Sequence, residues 1–123
     1  MKETEYQLSS SVNDGIIEVI ETGEITESSV KKLIDKVTAL IKAHGVKKLL
    51  VDVRALKGRL GITETYERVR NYPPEFYGIH ISLVDISEHI DFQRFHKTIS
   101  LNAGLKFKWA TDIDAARTWL KSK

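Results

Sequence analysis

Hydrophobic and polar positions in this chain follow two rhythms that alternate along its length. Residues Tyr6 to Val12 and Ile16 to Thr22 are rich in β-forming side chains and flank Asn13-Asp14-Gly15, which predicts an antiparallel hairpin at the start. From Val30 the spacing becomes helical: Val30, Leu33, Ile34, Val37, Leu40 and Ile41 share one face, with Thr26 suited to the N-cap and Gly45 to a left-handed stop. Lys47 to Arg54 then packs Leu49, Leu50, Val51 and Val53 around one carboxylate, Asp52, the signature of a central strand buried on both faces.

Ala55 to Gly61 reads as a loop, and Ile62, Tyr66, Val69 and Tyr72 mark the inward side of a second helix that ends before Pro73-Pro74. In the strand Gly78 to Asp85, Ile79, Ile81 and Leu83 alternate with His80 and Ser82, so one face is expected to be covered more fully than the other. A third helix from about Asp91 turns Phe92, Phe95, Ile99 and Ala103 inward and stops at Gly104. Phe107 and Trp109 alternate with Lys106 and Lys108 in a last strand whose lysines suit a sheet edge. Thr111-Asp112-Ile113-Asp114 opens a final helix with Ile113, Ala116, Trp119 and Leu120 inward.

Strands separated by helices pair in parallel through right-handed crossovers. If each strand lies beside its predecessor, the crossovers fall on one side, and His80, Ser82, Lys106 and Lys108 point to an open face. The expected fold class is α/β: a mostly parallel five-stranded sheet with an antiparallel N-terminal hairpin and four helices mainly on one face.

Composition narrows the function. A chain of 123 residues is expected to form one domain spanning 1–123. Without cysteine, it has no disulfide, thiolate chemistry or cysteine-bound zinc. The lack of a long apolar run or a basic-then-apolar start leads us to expect a cytoplasmic protein with no membrane span and no export signal. The net charge of +2 hides an uneven distribution: residues 1–27 carry seven acids against Lys2 alone, a net of −6, and the remainder carries +8. No basic stripe is interleaved with aromatics, so nucleic acid is not an expected partner.

Taken together, the hairpin, the Leu49-Leu50-Val51-Asp52-Val53-Arg54 strand, the loop into Gly61-Ile62-Thr63, the Ile81-Ser82-Leu83-Val84-Asp85 strand and the closing Thr111-to-Leu120 segment resemble the SpoIIAA-like, or STAS, family. The likeness covers nearly the whole chain. It implies successive βα units beside an N-terminal strand. In the regulatory members, it also implies a phosphorylatable serine at the start of the helix after the central strand. Here that stretch is Lys57-Gly58-Arg59-Leu60-Gly61-Ile62-Thr63, with Gly61 about where the serine would stand and Thr63 and Thr65 as the nearest hydroxyls, so phosphorylation is not expected. The chain looks more like the branch of the superfamily grouped with Sec14-type lipid-binding proteins.

Ligands of open parallel sheets gather beyond the carboxyl ends of the strands. The loop there holds Arg54, Lys57 and Arg59 with Gly58 and Gly61 and no acid, directly before a helix start carrying Thr63, a combination suited to an anion. It lacks the Gly-Lys-Ser/Thr of a nucleotide-binding loop. Asp52 and Asp85 could form an acid–base pair if their strands end level, or could each brace neighbouring backbone. Asp85, His89 and His96 fall short of a zinc site, so no metal is expected. Tyr66, Tyr72, Phe76 and Tyr77 cluster around the diproline, as helix packing or as a lid over an apolar pocket. The leading expectation is a non-enzymatic domain without cofactor that binds a protein partner or a second copy of itself. The alternatives are a carrier or sensor of a small apolar or anionic, lipid-like ligand and, third, a small hydrolase using Asp52 and Asp85.

Overall fold

The computed structural model describes residues 6–123; Glu3 and Glu5, part of the acidic N-terminal segment, lie outside the described residues. Five strands pair in chain order: β1 (Gln7–Asn13), β2 (Ile16–Glu24), β3 (Lys48–Lys57), β4 (His80–Val84) and β5 (Lys106–Ala110). Among the described residues, only the β1–β2 pair is antiparallel. Asp14 and Gly15 both take left-handed conformations at the hairpin turn, φ 53° and 75°, as an Asp-Gly turn requires.

Helix α1 (Glu27–His44) starts on a reciprocal capping box: Ser29 N–H donates to Thr26 Oγ1 and Thr26 N–H to Ser29 Oγ. It ends on left-handed Gly45. Helices α2 (Ile62–Arg70), α3 (Ile90–Asn102) and α4 (Ile113–Lys121) follow β3, β4 and β5, with short 3-10 turns at Pro74–Gly78 and Ser87–His89. Among the described residues, no helix is long and apolar enough to cross a membrane.

Strand alternation sorts the interior into two layers. Ile17, Val19, Leu49, Val51, Val53, Ile81 and Phe107 face α1, α2 and α3. On the other side Ile16, Leu50 and Val84 meet Ala116 and Leu120 of α4. The three crossovers therefore cover one face, as consecutive strand order dictates when all have the same hand, while the terminal helix, with no strand to follow it, folds back over the other.

That helix corrects the expectation of an open face. Ser82 is fully buried and donates its hydroxyl to Lys108 O, and His80 is half-buried with its ring edge-on to Trp119. Only Lys106 and Lys108 point to solvent. A bidentate pair from Arg117 Nε and Nη2 to Glu18, both 2.8 Å, ties α4 to β2. Beyond it, Ile20 stays 45 % exposed.

The central strand also runs further than its apolar core suggests. Thr22, Gly23 and Glu24 of β2 pair with Ala55, Leu56 and Lys57 after a one-residue bulge in β3, so half of the expected loop is strand and Leu56 is buried. On α2 the inward positions are Thr65 and Val69, whereas Ile62 and Tyr66 face outward. Thr65 can occupy the inward position because its hydroxyl donates to Gly61 O, which leaves no unpaired polar group beneath the helix.

Candidate functional site

The carboxyl ends of β3 and β4 carry two Asp–Arg pairs. At the β3 bulge the Arg54 amide is free of the ladder; it donates to Asp52 Oδ1 at 3.1 Å, and the Arg54 guanidinium grips the same carboxylate at 3.0 and 2.8 Å. Burial works to raise the Asp52 carboxyl, but these three hydrogen bonds outweigh it and hold the group below its ordinary range.

Asp85 is fully buried and receives Arg59 Nε at 3.1 Å, Nη2 at 2.7 Å and the Ile86 amide at 2.8 Å. The remaining Arg59 donors reach Val53 O, Leu56 O and Gly58 O. A single buried guanidinium thus satisfies the backbone of a tight loop whose Gly58 is left-handed at φ 84°, where a Cβ would also meet Ile25 Cγ2 at 3.0 Å.

These pairs decide what the loop brings together. Asp52 registers with Val84 across the β3–β4 ladder, so Asp85, one residue on, points to the opposite face. The two carboxylates are therefore divided by the sheet, and each braces its own backbone. Arg54 and Arg59 turn away from each other, each committed to a carboxylate, while Lys57 is exposed. Gly61 is the N-cap of α2 and Thr63 is exposed on its first turn, whereas Thr65 is buried. Among the described residues, Asp85, His89 and His96 do not assemble into a metal-binding group.

Two features escaped the reading of the sequence. The first is a cavity of about 120 Å³ between the sheet and the α1–α3 layer, walled by side chains including Val51, Leu56, Leu83, Phe76 and Phe107. The second is Glu21 in that wall, only 4 % exposed. Burial pushes its carboxyl up, although Tyr6 Oη donates to Oε1 at 2.7 Å and Arg59 lies near enough to oppose the shift. Burial, with Glu21 nearby, also pushes the Tyr72 hydroxyl up to about 12. The signal for Glu21 was present in the chain: it continues the Ile17, Val19 phase of β2, so a carboxylate occupies an inward position.

The far end of the same cavity meets α3 and β5, where His96 sits among Phe92, Phe107 and Trp109 with ring centroids 5.1 to 5.4 Å apart. Burial lowers His96 to about 4. Trp109 Nε1–H is buried with no acceptor in reach among the described residues.

With this geometry in view, the chain matches two solved structures over nearly its full length. One is an anti-sigma factor antagonist from Mycobacterium paratuberculosis, 18 % identical, covering 96 % of each chain at a TM-score of 0.64. The other is a DUF3478-family protein with a SpoIIAA-like fold from Shewanella loihica PV-4, 14 % identical, covering 98 % of each chain at 0.65. The chain has the SpoIIAA-like fold. Neither the protein-family models nor the curated protein sequences contain a match to it. At these identities the SpoIIAA-like likeness is one of fold, and the function has to be argued from the site.

Proposed function

We propose that this SpoIIAA-like domain is non-enzymatic and works by docking a protein partner on the rim formed by α2 and the strand carboxyl ends. The observation that carries this reading is the outward face of α2. Ile62 is 59 % exposed and Tyr66 49 % exposed, one turn apart on one stripe. Arg70 donates to Tyr66 Oη at 2.7 Å and places its guanidinium 5.2 Å from the ring centroid. Exposed apolar and aromatic side chains edged by a cation, here Arg70, are what a partner surface presents. The fold neighbour named as an anti-sigma factor antagonist lends the reading support, since that name denotes action through another protein. A photo-crosslinking residue placed at position 66 should give a discrete adduct in cells, lost on Ile62→Asp, while the same probe at exposed Leu101 gives none. Equal adducts at both positions would refute docking at α2.

A second reading, a carrier or sensor of a small ligand, is favoured by the cavity beneath α1–α3. A hydrolytic role for Asp52 and Asp85 has no geometric support, because the sheet separates them.

A further inference from the structure

We infer that the cavity between the sheet and the α1–α3 layer binds a neutral apolar molecule about the size of one six-membered ring, bearing a single hydroxyl-type donor. The inference rests on the ligand reading above and narrows it. A space of about 120 Å³ lies between the sheet and the α1–α3 layer and is partly open to the outside, so a guest has a way in. An apolar cavity of about 150 Å³ admits benzene and stays dry, whereas pockets for drug-sized ligands begin at about 300 Å³. The space here suits one ring and is too small for a lipid with acyl chains.

Charge and polarity select further. The walls are mainly aliphatic and aromatic, so an ion entering them would lose its hydration for little return. The charged groups lining the space are of both signs, Glu21 against Arg59 and Arg68, so a guest of either charge is repelled by one side as it is attracted by the other. A neutral guest meets neither repulsion. Tyr6 occupies Oε1 of Glu21, and among the described residues it is the one side chain that hydrogen-bonds this carboxyl, which leaves Oε2 to accept from a guest hydroxyl.

The test uses the full chain with labelled methyl groups, titrated at pH 7 with benzene, phenol and benzoate. The expected result is saturable shifts at Val51, Leu56 and Leu83 with benzene and phenol, and none at Leu50, Val84 and Leu120, which pack toward α4. Phenol should bind about threefold or more tighter than benzene, the advantage of one added hydrogen bond, and Glu21→Leu should abolish that advantage while keeping benzene binding. The benzene-to-phenol comparison on the unaltered protein stands even if that variant does not fold. Equal affinity for the two overturns the hydroxyl contact with Glu21. Benzoate shifting the same methyls as strongly as phenol overturns the neutral ligand class and leaves the carrier reading in place. No saturable shift with any of the three overturns both.

Discussion

The two faces of one sheet are built differently. Under α4 the helix presents Ala116 and Leu120 to Leu50 and Val84, and the buried Ser82 Oγ beside them has its acceptor in Lys108 O. A small residue at the crossing brings helix and sheet close. Across the sheet, Phe76, Phe107, Tyr72 and Trp109 line a partly open cavity together with Glu21 and His96. There the β3–α2 loop is held by the hydrogen bonds of Arg59. The difference teaches that the smaller core under α4 is closed by direct apolar packing, while the larger core under the crossovers combines packing with buried polar groups and room for a guest.

The largest effect should come from the polar clasp on the cavity side. Arg59→Leu takes the guanidinium from the fully buried Asp85 charge and removes its bonds to three backbone carbonyls, and breaking a buried pair costs about 3–5 kcal/mol. Urea unfolding measures this, and a loss below about 1 kcal/mol would show that the clasp is dispensable.

His96 gives the next largest effect, read through pH. An unfolded His binds its proton near 6.5, whereas the folded one stays neutral down to about 4. The unfolded chain therefore binds more protons between these values, and stability falls as pH drops through that window, by about 3 kcal/mol in all. Relative to His96→Leu, the unaltered protein should lose that amount between pH 7 and 4. Parallel stability curves would contradict the burial of His96.

Matched additions then set the two faces against each other. Ala116→Leu crowds a full interface and should cost about 1–3 kcal/mol. Val37→Leu, adding a methylene beside the cavity, should change stability by less than about 0.5 kcal/mol or raise it. Thermal unfolding compares them, and equal costs would erase the distinction.

Glu21→Gln should have the smallest effect. Because the folded carboxyl holds its proton to higher pH than the unfolded one, the protein loses stability as pH rises through the folded value. The amide variant should escape that loss, gaining on the parent above the ordinary carboxylate range and matching it in acid.

How much of this could be read in the chain follows from range. The strand order, the parallel pairing, the hairpin turn at Asp14-Gly15 and the α1 caps depend on neighbours within a few residues or on the handedness of crossovers, and these agree with the structure. The side taken by α4 was not legible, since a terminal helix has no crossover to constrain it. Nor was the rotation of α2, since apolar spacing points Ile62 and Tyr66 inward and does not reveal that Thr65 has its hydroxyl paired with Gly61 O. The destinations of Arg54 and Arg59 depend on a bulge and on partners up to 26 residues away, and net positive charge in a loop does not reveal which cations are already committed. The cavity is what packing leaves over, and no single residue encodes it.

The central claim is that the α1–α3 side holds an apolar cavity at its core, whereas Leu50 and Val84 pack directly on α4, whose own opening of about 270 Å³ lies toward β5 beside Ser82, Lys108 and Trp119. A crystal of the full chain equilibrated under xenon pressure measures this most directly. Xenon density should appear between Val51, Leu83 and α1, with none between Leu50 and α4. An empty α1–α3 layer, or equal occupancy on both sides, would contradict the account.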